Sequence, residues 1–290
     1  MPRRRRTVSK ANASLTVVLL IGLILLGIYF TATGRDPIGI FGTESATPVA
    51  NVPTAVSVSG TWWEVYFTDP VNVNDPSNWQ SSVAGRLIEK INAAQSSIHI
   101  ASFEFDLTPV AEALIAAKQR GVDVRWVTDD EHGLEADGEP GHGQFEMLQN
   151  AGIEVRSDDR SALMHNKFWI FDGQTVWTGS TNITESGVFK QDNNAIVIQS
   201  PQLAAIYENE FQDMWNGEFG PRSPSQLAEQ SVVVNGSPIQ VVFTSEDHAI
   251  AEAIIPVVSS ATRSIRFLAF SYTDFPLAEA MIKRAKNGVD

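Results

Sequence analysis

Eighteen residues, His165 to Asn182, carry five side chains whose types suit work on a phosphate: His165, Lys167, Asp172, Ser180 and Asn182. Their spacing is H-x-K-x4-D-x6-G-S-x-N. An imidazole can attack phosphorus, a lysine neutralises charge, and a hydroxyl and an amide donate hydrogen bonds to phosphate oxygens. A nearby carboxylate can hold the other ring nitrogen of the imidazole and fix its tautomer. If Lys167–Asp172 is a strand, its alternation puts His165 and Lys167 on one face. Asp172-Gly173 is a hairpin signal that returns the chain toward the same end at Ser180 and Asn182. Each residue alone reads equally well as an ordinary polar group on a surface hairpin. Together they read as a phosphate site.

The pattern resembles the signature motif of the phospholipase D superfamily, the HKD motif, at His165, Lys167, Asp172, Gly179, Ser180 and Asn182. The resemblance covers most of residues 62–290, because that family is built from two related halves. It implies a phospholipase D-like mixed α/β fold and a metal-free, cofactor-free phosphodiesterase. In such an enzyme one His forms a phosphohistidine, and a His from a second motif protonates the leaving alcohol and then activates water or an acceptor alcohol. By this resemblance His165 is the nucleophile, Lys167, Ser180 and Asn182 hold the phosphate, and Asp172 belongs to the catalytic motif in an orienting or structural part. One position departs from the pattern. Where some members carry a Glu eleven residues after the motif's Asn, this chain has Asn193, which can orient by hydrogen bonding but brings no charge.

No second H-x-K exists: the other histidines, His99, His132, His142 and His248, lie in different contexts. A second repeat does begin. Residues 97–123 and 264–290 align without gaps, with 11 of 27 positions identical, Phe103/Phe270, Pro109/Pro276 and Gly121/Gly288 among them. The same offset would place a partner motif beyond Asp290. The expectation is a truncated second repeat, and a site completed by a missing C-terminal half or by a homodimer.

The surrounding elements follow from periodicity. Trp62–Pro70 reads as strand and turn, Val83–Gln95 as a helix with Leu87, Ile88 and Ile91 on one face, and Ser96–Phe105 as a strand. A helix over Pro109–Gly121 and a strand over Val122–Asp130 complete a βαβ unit with a parallel pair. A short helix near 143–152, strands at 153–157, 167–172, 175–180 and 193–200, and an amphipathic helix at 201–215 follow. The class is α/β with a mixed sheet, organised as a first repeat over 61–220, a linker over 221–238 and the second repeat over 239–290. The loop Asp129–Gly143 holds two His and six acids at a strand end. It reads as a solvated loop or lid in preference to a metal site.

Composition narrows the rest. The absence of cysteine excludes disulfides, thiolate metal sites and a cysteine nucleophile. The net charge is −13, and five of the 21 Lys and Arg fall within the first ten residues, so a broad basic surface for nucleic acid is not expected. Leu15–Phe30 is an uncharged apolar run behind four arginines. It reads as an uncleaved membrane anchor over 15–32 with a basic cytoplasmic tail at 1–14, or else as a cleaved signal that yields a secreted protein. Either way the body lies outside the cytoplasm, on a linker over 33–60. The leading functional reading is hydrolysis of phospholipid phosphodiesters. The alternatives are an endonuclease of the same superfamily, a cardiolipin synthase-like transferase, and a non-catalytic tethered interaction domain.

Overall fold

The computed structural model describes residues 57–290. The basic tail, the anchor and nearly all of the first linker expected from the sequence lie outside the described residues. Among the described residues no helix is long and apolar enough to cross a membrane.

Eight strands form one mixed sheet in the order β1-β2-β8-β7-β6-β3-β4-β5: β1 Ser57–Ser59, β2 Trp63–Phe67, β3 Ser97–Ser102, β4 Asp123–Thr128, β5 Glu154–Ser157, β6 Lys167–Phe171, β7 Thr175–Gly179 and β8 Asn194–Gln199. β3, β4 and β5 run parallel, and β6 joins them antiparallel to β3 with Ser102 opposite Lys167. The sequence expectation of a parallel βαβ pair and a mixed sheet therefore holds. The Asp172-Gly173 hairpin also forms, with both residues at positive φ, 54° and 60°, at the centre of a turn closed by Gln174 N to Phe171 O (2.9 Å), and with three residues between the paired Phe171 and Thr175.

Strands such as Phe168-Trp169-Ile170-Phe171 are apolar throughout because helices cover both sheet faces. Trp169 and Phe171 point into one core with Ile98, Ile100, Trp126 and Trp177. Phe168 and Ile170 point into the other with Ala101, Val127 and Val176. The first core is closed by α1 Val83–Ala93, α2 Thr108–Gln119 and α3 Gln144–Asn150. α1 starts where the Ser82 hydroxyl accepts from Ala84 N (3.1 Å), and its buried stripe holds the Leu87, Ile88 and Ile91 read from periodicity, with Val83 and Ala84 at its start. The second core is closed by α5 Pro201–Trp215 through Leu203, Ile206, Phe211 and Met214. A one-turn helix, α4 Glu185–Phe189, lies between β7 and β8.

After α5 the chain differs from expectation. The segment taken as a linker contains a strand: β9 Ser231–Val234 pairs with β10 Ser237–Gln240 around Asn235-Gly236. Val241 and Phe243 then pack into the α5 core. The segment expected as a second repeat contains α6 Ile255–Ser260, an extended stretch, and α7 Phe275–Lys286. Residues 264–269, aligned with β3, are in no ladder. With Arg263 before them they make only two bonds of a parallel pair, Ile265 N to Asp290 O (2.8 Å) and Asp290 N to Arg263 O (3.0 Å).

Candidate active site

β3 ends at Ser102, and two side chains of β4 take over the backbone beyond it. Trp126 Nε1 donates to Ser102 O (3.1 Å), and Thr128 Oγ1 donates to Phe103 O (2.9 Å). These bonds fix the Phe103 ring at the carboxyl ends of the parallel strands, the end at which open α/β sheets place ligands. His165, just before β6, rests its imidazole edge-on against that ring, centroids 4.6 Å apart. Lys167 Nζ lies 5.1 Å from the same ring centroid and donates to His165 O (3.1 Å). The two charged-type residues of the motif thus share one aromatic floor, as the alternation argument requires.

The return strand brings the remaining motif residues. At Gly179 a Cβ would sit 2.3 Å from Asn194 O, so only glycine lets β7 lie this close to β8. Ser180 Oγ consequently meets Asn194, accepting from its N (3.1 Å) and facing its Nδ2 (3.3 Å). Asn182 Nδ2 donates to Glu104 (3.0 Å), and its Oδ1 is buried without a partner. Ser102 Oγ, opposite Lys167 in the ladder, is also buried without one. Such orphan atoms are costly unless a bound group satisfies them.

The electrostatics suit a phosphate. Burial against Phe103 and then the Lys167 charge hold the His165 pKa below its ordinary value, opposed by Asp129. A neutral imidazole keeps a lone pair free to attack. Burial pulls the Lys167 ammonium down to about 8, with Glu104 opposing.

Two motif-linked residues fall elsewhere. Asp172 closes the far end of β6 and touches neither His165 nor Lys167. Its carboxylate accepts from Gln95 N (3.0 Å), Ser96 N (2.6 Å) and Ser97 N (3.1 Å) and from Ser96 Oγ (2.9 Å). Those bonds, despite the cost of partial burial, keep its pKa low. Of the two parts the motif left open for Asp172, its position fits the structural one. Asn193 binds Gly187 O through Nδ2 (2.9 Å), and its N donates to Thr68 Oγ1 (2.6 Å). It braces the loop between α4 and β8 and does not touch His165.

Four residues absent from the sequence-derived set stand in the site: Phe103, Glu104, Asp129 and His132. Asp129 is buried, and its two oxygens accept from His132 N (2.9 Å) and Met164 N (2.8 Å). The Asp129, Asp130 and Asp158 carboxylates lie within 4.8 Å of one another. Each already accepts from the protein: Asp130 from Glu131 N (2.8 Å), Asp158 from Asp130 N (3.2 Å) and Arg160 Nε (2.9 Å). This is the hydrogen-bonding of a loop clasp. Its one sequence signal was an acid run directly after a strand.

A family model described as "Cardiolipin synthase, PLD-like domain" matches residues 87–215. The chain is 33% identical over 149 residues, 51% of its length, to the mitochondrial cardiolipin hydrolase of Xenopus laevis, and the match spans 68% of that protein. To the human protein of the same name it is 31% identical over 140 residues, spanning 48% of this chain and 53% of that one. Among solved structures it is similar to Nuc of Salmonella typhimurium, a phospholipase D family member, at 31% identity and a TM-score of 0.46. That similarity covers 56% of this chain and 99% of Nuc.

Proposed function

The chain belongs to the phospholipase D superfamily, and from that premise we propose that it hydrolyses phospholipid phosphodiesters through a phosphohistidine on His165. The observation that carries the reading is the His165–Lys167 pair on the Phe103 ring, beside an unpartnered Asn182 oxygen. His165 attacks phosphorus. Lys167, Asn182 and Ser180 hold the phosphate oxygens and stabilise the charge that develops on them. Asp172 and Asn193 keep the strands and loop that present these groups in place. Departure of the alcohol needs a proton, and in this reading a second imidazole, from a C-terminal half or another copy of the chain, supplies it and then activates water.

A lipid substrate is favoured over nucleic acid by charge. The loop beside His165 carries Asp130, Glu131, Glu135, Asp137 and Glu139 on a chain of net charge −13. A polyanion would meet repulsion there, while a single lipid phosphate needs only the local Lys167. Both relatives described above are named for cardiolipin hydrolysis. The apolar run Leu15–Phe30 would tether the domain at a membrane, on its extracytoplasmic side.

Product analysis of the whole protein with cardiolipin vesicles, phosphatidylcholine vesicles and single-stranded DNA tests this. Phosphatidic acid from either lipid, with an acid-labile adduct on His165, is the expected result. Cleavage of DNA alone would make the chain a nuclease. Transfer to an added alcohol without hydrolysis would make it a transferase. No turnover of any of the three would leave the tethered, non-catalytic reading.

A further inference from the structure

Asn182 owes its orientation to one charged partner. Its Nδ2 donates to Glu104, two residues past the end of β3 (3.0 Å). A carboxylate only accepts, so this partner dictates which way the amide turns. The nitrogen must face Glu104, and Oδ1 is left buried without a partner. The second N–H of that nitrogen remains for a phosphate oxygen. With the amide reversed, Oδ1 would meet the carboxylate and the two would repel.

The backbone brings the two residues to this meeting. Phe105 bridges Ile183 in parallel, which sets Glu104 beside Asn182, and Asp106 N donates to Ile183 O (3.3 Å). On the other side of Glu104, Thr128 Oγ1 holds Phe103 O (2.9 Å). Gly187 of α4 lies so close that a Cβ would come within 2.4 Å of Asn182 O. The charges of the site divide along the same lines. Burial lowers the pKa of both His165 and Lys167; Asp129 opposes the fall at His165, where Lys167 and His132 add to it, and Glu104 opposes it at Lys167. Behind Glu104 stands Asp106, whose pKa burial raises. Its Oδ1 accepts from Glu185 N (2.7 Å), and the charges of His142, Glu185 and Glu104 all reach it. Asn193 braces the loop before β8 and brings no charge, so the acid that touches the motif's Asn182 comes from the end of β3.

We propose that Glu104 is a positioning residue of the phosphate site: it turns the Asn182 amide so that an N–H faces the phosphate, and it fixes a negative charge beside Lys167. The proposal rests on the phosphohistidine reading above and adds to it a carboxylate that touches no reacting atom. The Asn182 nitrogen stands between two anions and gives an N–H to each. Lys167 spends its own hydrogen bond on His165 O (3.1 Å), and the Glu104 charge acts on it through space. A buried lysine is thereby kept protonated at the pH where it must hold a phosphate.

The test is a pH profile of kcat/KM for bis(4-nitrophenyl) phosphate with the whole protein, joined to an NMR titration of Lys167 in protein labelled at lysine. Glu104→Gln keeps the size of the side chain, removes its charge and can donate as well as accept, so it no longer demands one amide orientation. It should lower the plateau by about 10–100-fold, the worth of one hydrogen bond to a charged group, and move the alkaline limb to lower pH. Glu104→Ala should do the same. Glu104→Asp keeps the charge; it should lose less than Glu104→Gln and leave the limb near that of the wild type. Asn182→Ala should lower the plateau with the limb unmoved, and adding Glu104→Ala to it should move the limb while costing little more on the plateau. A limb that stays in place in Glu104→Gln, equal losses in Glu104→Asp and Glu104→Gln, or plateau losses that multiply in the double variant would overturn the assignment. Activity retained by His165→Asn would instead sink the phosphohistidine reading. In that case, or with no turnover at all, the Lys167 titration decides: it should fall to lower pH in Glu104→Gln and Glu104→Ala, and an unmoved titration would overturn the role given to Glu104. Melting curves separate misfolding from lost positioning, and Glu104→Asp carries the comparison should the other variants melt early.

Discussion

Residues 96–123 and 263–290 fold into the same local shape and meet opposite surroundings. The correspondence reaches individual bonds. Asp123 N donates to Ser96 O (2.9 Å) and Asp290 N to Arg263 O (3.0 Å). The helix ends agree as well: Val122 N bonds to Ala117 O and Val289 N to Arg284 O, each at 3.1 Å. Burial does not follow. Phe103 is 5% exposed and its equivalent Phe270 is 109% exposed. Ala101 is 0% and Leu268 103%, Ile100 0% and Phe267 59%. Helix and cap are local properties, set by Pro at the start, Gly at the end and spacing between. Burial is supplied by neighbours. The first region has β4, β6 and two covering layers of helix, whereas the extended stretch of the second region pairs with no strand among the described residues.

The largest effect expected from this contrast is on chemistry. His165→Asn, in a side chain resting on the buried Phe103, should reduce phosphodiester turnover on the order of 10⁴–10⁶-fold with an unchanged melting curve. Phe270→Ala, at the equivalent of that floor, should leave the rate within about twofold, since nothing rests on the Phe270 ring. A matching loss in both would show that the second region shares the site. Stability comes next. Leu114→Ala empties a fully buried position and should cost about 2–5 kcal/mol in urea unfolding. Met281→Ala, its half-buried equivalent, should cost less than about 1 kcal/mol. Equal costs would mean that the second region is packed in solution.

A smaller effect separates activity from stability by sign. The Lys167 pKa, held near 8 in the fold against 10.5 in its absence, means the free enzyme loses its phosphate-binding charge as pH rises past about 8. kcat/KM should fall along that limb, and Lys167→Arg should move the limb to higher pH. Between about 8 and 10.5 the unfolded chain binds more protons than the folded one, so the Lys167 contribution to stability should rise with pH while activity falls. Parallel decline of both would remove Lys167 from the explanation. The smallest effect concerns the one local difference in capping. Asp274 Oδ1 accepts from Leu277 N (2.8 Å), whereas the equivalent Leu107 offers no cap. Asp274→Ala should cost α7 about 0.5–2 kcal/mol. Because little is packed on α7, the loss should show as faster amide exchange there, with global melting unmoved.

The reach of sequence reasoning follows the same division. Helices and strands of the first region were legible because two-sided burial leaves apolar runs and one-sided burial leaves a stripe, and because Asp172-Gly173 names its own turn. The β9–β10 hairpin was equally announced by Asn235-Gly236 and was passed over, since its flanking residues carry little apolar alternation. His165 and Lys167 were legible because their spacing is local. Phe103, Glu104, Asp129 and His132 were not assigned to the site, because what brings them to His165 is the adjacency of β3, β4 and β6, a tertiary fact that spacing along the chain does not record. Asp172 was grouped with the chemistry by its nearness in sequence, yet a strand carries it to the opposite end.

That displaced aspartate has a use beyond holding a turn. Strand pairing alone tolerates slippage, and a slip of one residue between β6 and β3 would rotate Lys167 to the other side of the sheet and carry His165 off its ring. The Asp172 carboxylate binds the N–H groups of three successive residues, Gln95 to Ser97, at the first position of β3. A slipped pairing would forfeit all of these bonds together, with the Ser96 hydroxyl bond besides. Asp172 therefore works as an indexing mark: from one end of the strand it sets the phase in which the residues at the other end come to rest.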